Sequence, residues 1–211
     1  EPTFVEVPTD DGGLLPEELD KILETTPNCK FIYVIPDFQN PTGRTWSMER
    51  RQKFMEVVNK HNLPVLEDNP YGELRFAGKD VPTVKSLDTE GIVVYTSSFS
   101  KILSSGMRVG YLCGPKQIIH RCVVVKQAND VHTNLFFQML VSKSLEDNDI
   151  DKHIQTIKEL YKRKASLMIN GLENGLSADV GFTKPEGGLF LWVTLPKTDS
   201  SEIFKACIKK N

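Results

Sequence analysis

Three short apolar runs constrain what this chain can fold into. Phe31-Ile32-Tyr33-Val34-Ile35, Leu63-Pro64-Val65-Leu66 and Ile92-Val93-Val94-Tyr95-Thr96 are apolar at consecutive positions rather than alternate ones. Strands with that pattern belong to parallel sheets, which are buried on both faces. Pro36 stops the first run and Glu67-Asp68 the second. Val109-Gly110-Tyr111-Leu112-Cys113 reads as a fourth strand. Between the first two runs lies a helix pattern that Ser47 can cap. Glu49 suits its first turn, and Phe54, Val58 and His61 share one face. Strands alternating with helices form βαβ units, so the expected fold is α/β, with a mainly parallel sheet flanked by helices.

Ahead of the first run, Asp10-Asp11-Gly12-Gly13 is a turn, and Pro16 suits the start of a short helix reaching Leu23. After Pro115 the pattern turns helical, over residues 116–128 and 134–146. A long helix follows, with Ile150, Ile154, Ile157, Tyr161, Ala165, Met168 and Leu172 at steps of three and four. Asn174-Gly175 ends it. Gly187-Gly188 then leads into an expected strand over Leu189–Val193, and Ser200 opens a last helix. The expected organisation is a partial large domain over 1–148, a long interdomain helix over 149–175, and the truncated start of a small α+β domain over 176–211. The chain opens Glu1-Pro2-Thr3 and closes inside a helical pattern, so the expectation is a piece of a longer protein.

Composition narrows the function classes. Apolar residues make up 39% and charged residues 26%, with a net charge of -2. That balance suits a soluble globular protein and points away from nucleic acid and anionic membranes. No apolar run approaches a membrane span, and no signal peptide is visible. Cys29, Cys113, Cys122 and Cys207 form no C-x-x-C pair and read as reduced, mostly buried thiols of a cytoplasmic protein. His61, His120, His132 and His153 lack metal-ligand spacing, so no metal is expected.

Three polar clusters follow the strand runs: Asn40-Pro41-Thr42-Gly43, Glu67-Asp68-Asn69-Pro70-Tyr71, and Ser97-Ser98-Phe99-Ser100-Lys101 with Arg108 beyond. In open α/β sheets ligands bind outside the carboxyl ends of the strands, so Asn40, Asp68 and Lys101 are expected on one sheet edge. Taken singly, Asp68 and Asn40 are ordinary turn residues and Lys101 an ordinary surface lysine. Together they supply the parts that hold and use a pyridoxal 5'-phosphate. A carboxylate at Asp68 can keep the pyridine nitrogen protonated, which makes the ring an electron sink. Tyr71 and Asn40 can reach the ring's phenolate oxygen. Two hydroxyls, Ser98 and Ser100, and the Arg108 guanidinium can bind a phosphate dianion. Gly106 and Gly110 flank that arginine and permit close backbone approach. An amine at Lys101, once partly neutral, can form a Schiff base.

These residues resemble the fold-type I pyridoxal-phosphate aminotransferases of class I/II, in the branch of aminoadipate, kynurenine and aromatic aminotransferases. The likeness is carried by Pro36–Gly43, Glu67–Phe76, Ser98–Tyr111 and Gly187-Gly188-Leu189-Phe190-Leu191-Trp192. The resemblance implies that Lys101 is the Schiff-base lysine and proton shuttle and that Asp68 pairs with the ring nitrogen. It implies that Asn40 and Tyr71 contact the ring oxygen, and that Ser98, Ser100 and Arg108 bind phosphate. It also implies a homodimer acting on an amino acid and a 2-oxo acid, with Thr133 and Asn134 as candidates to reach the partner's cofactor. The family's glycine-rich phosphate loop, its ring-stacking aromatic and its substrate-carboxylate arginine do not occur in these residues. The full-length protein is therefore the expected enzyme, and the 211-residue piece is expected to bind cofactor poorly and turn over little.

Two alternatives stay open on the sequence. One is a lyase or decarboxylase on the same scaffold, since reaction choice depends on the substrate clamp. The other is a transcription regulator that uses an aminotransferase-like domain as an effector sensor, because fold alone does not fix function.

Overall fold

The computed structural model describes residues 2–147 and 149–210. The chain opens with two short antiparallel strands, β1 (Thr9–Asp10) and β2 (Gly13–Leu14). Gly13 has a φ of +98°, and a Cβ there would lie 2.2 Å from the Trp46 indole nitrogen, so no other residue fits that turn. Helix α1 (Pro16–Thr25) starts on its proline, whose missing N–H would be unsatisfied in a first turn anyway.

Strand β3 (Ile32–Val34), helix α2 (Met48–Lys60), and strands β4 (Val65–Asp68), β5 (Val93–Ser98) and β6 (Gly110–Cys113) build the central sheet. Its order is β3-β4-β5-β6. The first three strands are parallel, with Ile32 opposite Val65 and Val65 opposite Val93. β6 turns back antiparallel to β5 and sets Gly110 opposite Ser98. The helix expected after Ser47 is α2, and the Ser47 hydroxyl accepts the Arg50 amide at 3.2 Å.

One face of the sheet makes the core. Val34, Val65 and Val93 pack with Leu19 of α1 and with Trp46, Phe54 and Val58 on and before α2. Phe54, Val58 and Val93 have no exposed surface, and each buried side chain of this kind contributes about 1.5–3 kcal/mol. The opposite face is different. Tyr33 is 51% exposed and Leu112 45%, so the expectation that the first run is covered on both sides holds for one side only. On this side Phe31, Tyr33 and Leu112 are open, while Val94 is buried. A cavity of about 1140 Å³ lies between Phe4, Val5, Phe31, Tyr33 and Leu66.

The loop after β3 is tied down by charge. The Arg51 side chain is wholly buried in α2 and donates to both Asp37 oxygens, at 3.1 and 2.7 Å. It also donates to the Trp46 and Pro82 carbonyls at 3.2 and 3.0 Å. A buried guanidinium needs such partners, because desolvation penalises each unmet donor.

Helices α3 (Lys116–Asn129), α4 (Leu135–Asp147) and α5 (Ile150–Gly175) follow. Asp149 caps α5 by accepting the Lys152 amide at 3.0 Å. α5 packs on the turn Gly72–Leu74, with Ile154 buried. The last elements are strands β7 (Gly181–Phe182) and β8 (Val193–Thr194), paired antiparallel, and helix α6 (Ser200–Ile208). The strand expected over Leu189–Val193 is therefore corrected to its last residue plus Thr194. Residues ahead of it are drawn instead onto the central sheet's loops, where Gly188 donates to the Leu74 carbonyl at 3.1 Å.

The cysteine reading is corrected too. Cys29, Cys113 and Cys207 are exposed and Cys122 is half-buried. They lie on β6, α3, α6 and a loop, on surfaces that these residues leave uncovered. Among the described residues, no helix is long and apolar enough to cross a membrane.

Candidate functional site

The parallel strands β3, β4 and β5 all end at one edge of the sheet, and the predicted site residues collect there. Asp68 is the last residue of β4. Because Tyr33 stands opposite Leu66, Tyr33 and Asp68 fall on the same face. The Tyr33 hydroxyl donates to Asp68 Oδ2 at 2.6 Å. Burial first, and then the Asp68 carboxylate, pushes the Tyr33 pKa well above the ordinary phenol range. The phenol thus stays a proton donor that fixes one carboxylate oxygen.

Asn69 shapes the turn that follows. Its amide extends the β4–β5 ladder to the Thr96 carbonyl at 2.9 Å. Its side-chain oxygen accepts the Gly72 amide at 2.9 Å, and the Ser97 hydroxyl closes on the Asn69 carbonyl at 2.9 Å. A Cβ on Gly72 would lie 2.6 Å from that side chain, so glycine is required. The turn folds Tyr71 inward to 6% exposure. Burial raises the Tyr71 pKa, and a bond from the Asn40 side chain works against the rise. Asn40 lies on the Arg51-anchored loop, next to a cis bond to Pro41. Asn40 and Tyr71 thus follow the ends of the neighbouring strands β3 and β4.

The third cluster leaves the end of β5. Ser98 donates to the Ser100 hydroxyl at 2.8 Å, and the Ser100 amide donates back to Ser98 Oγ at 3.0 Å. Lys101 follows, half-buried in a turn closed by the Leu103 amide on the Phe99 carbonyl at 2.8 Å. The His153 ring, in the first turn of α5, sits 3.0 Å from the Ile102 carbonyl and braces that turn. Arg108 is exposed, with its Nη1 donating to the Ser105 carbonyl at 3.2 Å. Its φ of 54° is left-handed, a conformation that costs energy in a residue with a side chain and that clusters at functional sites. Gly110 opposite Ser98 brings β6 close: a Cβ there would meet the Ser97 carbonyl at 2.8 Å.

Asn40 and Tyr71 therefore meet at one end of the sheet. Asp68 lies on the adjacent strand end, and Ser98, Ser100, Lys101 and Arg108 lie around the end of β5. Thr133 and Asn134 lie elsewhere, between α3 and α4, where Asn134 Oδ1 accepts the Phe137 amide at 3.2 Å. Sequence reasoning missed Tyr33, Asp37 and Asn69. Tyr33 reads as one more core residue of an apolar run, and only the β3–β4 register brings it to Asp68.

The donor set suits a phosphorylated pyridine. A carboxylate held by a phenol can pair with a protonated ring nitrogen. Two hydroxyls and an exposed guanidinium suit a phosphate dianion. The Tyr71 hydroxyl and the Asn40 side-chain amide are both donors that suit a ring oxygen carrying negative charge.

The family model of aminotransferase class I and II matches residues 2–211. The chain is 41% identical over 201 residues to aromatic-amino-acid aminotransferase 1 of Thermococcus litoralis, covering 93% of this chain and 48% of that protein. It is 33% identical over 214 residues to 2-aminoadipate transaminase of Thermus thermophilus, covering 100% of this chain and 53% of that protein. The crystal structure of Pyrococcus horikoshii kynurenine aminotransferase, complexed with PMP, overlays with a TM-score of 0.95 at 39% identity, covering 100% of this chain and 53% of that one. The chain spans about half the length of these relatives. With a family match over nearly every residue, the chain belongs to the aminotransferase class I and II family.

Proposed function

We propose that the full-length protein transfers an amino group from an amino acid to a 2-oxo acid with pyridoxal 5'-phosphate, and does so as a cytoplasmic homodimer in amino acid metabolism. The observation that carries the reading is the Tyr33–Asp68 hydrogen bond of 2.6 Å at the end of a central strand. It leaves a carboxylate oriented beside the Asn40–Tyr71 pair and the Ser98–Lys101 turn. The relatives named above, an aromatic-amino-acid, a 2-aminoadipate and a kynurenine aminotransferase, support the same chemistry.

When bound, pyridoxal phosphate supplies an electron sink for bond breaking at the substrate α-carbon. The residues of this chain do the rest. Ser98, Ser100 and Arg108 would hold the phosphate. Asp68, oriented by Tyr33, would keep the ring nitrogen protonated. Asn40 and Tyr71 would donate to the ring oxygen. Lys101 would hold the cofactor through its amine, and its neutral amine would serve as the general base and acid that moves the substrate α-proton. Amino acid and oxo acid use the site in turn, so the kinetics are ping-pong. In this reading residues 1–148 belong to the large domain, 149–175 bridge to the small domain, and 176–211 begin it.

The test is product analysis with the full-length protein, a panel of aromatic, aminoadipate and kynurenine donors, and a 2-oxo acid. A new amino acid formed in step with a new oxo acid supports transamination. Ammonia with pyruvate, or carbon dioxide, would move the reading to a lyase or a decarboxylase.

A further inference from the structure

The segment Pro185–Phe190 is distant in sequence from the strand ends, yet it is seated on them. Phe76 and Ala77 both donate their amides to the Glu186 carbonyl, at 2.9 and 3.0 Å. The Phe190 ring meets the Tyr71 ring edge to face, with centroids 5.4 Å apart. Cβ atoms on Gly187 and Gly188 would lie 2.3 and 2.4 Å from the Phe38 side chain, so only glycines let the segment close over it.

One charged contact holds this seat. Arg75 is 7% exposed and lies over the Phe38 ring at 4.8 Å. Two buried guanidiniums converge on one carboxylate here. Asp37 bonds Arg51 through both oxygens, and Arg75 Nη2 stays 3.7 Å away from it without a hydrogen bond. Asp80 lies 3.8 Å from Arg75 Nε but is almost fully exposed. The carboxylate that completes the balance is Glu186, which accepts Arg75 Nη1 at 2.8 Å. Its carboxylate rests over Gly78, where a Cβ would lie 2.4 Å from it and φ is +73°.

We propose that Glu186 and Arg75 form a latch that sets how the Pro185–Phe190 segment rests on Tyr71, and so positions the substrate side of the site. Glu186 is a positioning residue: it acts through the segment's backbone and Phe190. The inference rests on reading Tyr71 and Asn40 as cofactor-edge residues. Its structural half stands apart from any catalysis.

The experiment compares Glu186→Ala, Glu186→Gln and Glu186→Asp in the full-length protein. The Glu186 side chain is 56% exposed, and thermal unfolding of each variant checks that the fold is kept once Arg75 has lost its partner. Hydrogen exchange reads the latch without cofactor chemistry. The expected result for Glu186→Ala and Glu186→Gln is exchange at the Phe76, Ala77 and Gly188 amides faster by about tenfold, with β4 and β5 amides unchanged. Glu186→Asp should recover part of the protection. In steady state, KM for the amino acid should rise by about tenfold with kcat within about twofold, the pattern of lost positioning. Unchanged exchange at those three amides, or an equal rise throughout the sheet, would overturn the latch. Faster local exchange in a protein that transfers no amino group would keep the latch and sink the functional reading.

Discussion

The Tyr33 hydroxyl bonds Asp68 Oδ2 at 2.6 Å, diagonally across the parallel pair β3 and β4. The two residues are 35 positions apart, and the bond gives the site's carboxylate a fixed orientation before any ligand arrives. Side chains that orient a charged group are part of the site; around metal ligands, losing such a partner costs about 10–100-fold in affinity or activity.

Tyr33→Phe keeps the ring and removes only the donor. In the full-length protein it should weaken pyridoxal phosphate binding by about tenfold, the effect of one hydrogen bond to a charged group at about 1.5 kcal/mol. Spectroscopic titration of the apoprotein measures this. Unchanged affinity would show that Asp68 needs no such support.

Arg51→Ala takes both guanidinium hydrogen bonds from buried Asp37 and leaves, among the described residues, only Arg75 Nη2, 3.7 Å away, as a nearby cation. Unfolding of the full-length protein should become easier by about 3–5 kcal/mol, seen as a lower denaturant midpoint. The loop carrying Asn40 should lose its anchor at the same time, since Arg51 bonds Asp37 and the Trp46 carbonyl on either side of it.

Asp88 gives a pH-dependent case. Its side chain is fully buried. Burial alone would raise its pKa, but the Lys85 ammonium at 2.8 Å and the Val93 and Ile92 amides at 3.0 and 3.1 Å outweigh it, and the pKa lies below the usual carboxylate value. A depressed pKa contributes stability that is present above the unfolded value and is lost as pH falls through the folded one. Asp88→Asn should therefore destabilise by about 2–3 kcal/mol at neutral pH, with the gap to wild type closing as pH drops through and below the carboxylate range. Thermal unfolding of both proteins against pH checks this, and a gap that stays constant would contradict it.

Gly110→Ala tests the close approach of β6 to β5. The new Cβ would meet the Ser97 carbonyl at 2.8 Å, so the strands must part beside Ser98. Stability should fall by about 1–3 kcal/mol, the range for overpacking. Phosphate affinity, read by competition with inorganic phosphate, should fall with it.

The legible parts of the chain were those with local signals. The consecutive apolar runs gave β3, β4 and β5, and Ser47 marked the start of α2 because its hydroxyl meets an amide three residues on. Asn40, Asp68 and Lys101 could be assigned to one edge because parallel strands share a direction. What stayed hidden depends on register and distance. Tyr33 becomes a partner of Asp68 only when Tyr33 is set opposite Leu66. Arg75 and Glu186 are 111 positions apart, and neither lies in a pattern that names the other. The run Leu189–Val193 has strand composition, yet the glycines before it fit over Phe38, and that packing decides the backbone. The exposed cysteines and the bare face at Tyr33 share a cause: apolar composition shows what can be covered, while the cover itself has to come from other residues.

The central claim is that Lys101 holds the cofactor while Asp68 faces its ring. The most direct measurement is borohydride reduction of the full-length protein loaded with pyridoxal phosphate, followed by peptide mass mapping. A phosphopyridoxyl group on the peptide containing Lys101, absent from Lys101→Ala, is the expected result. The label on another lysine, or equal labelling in the Lys101→Ala protein, would contradict the account.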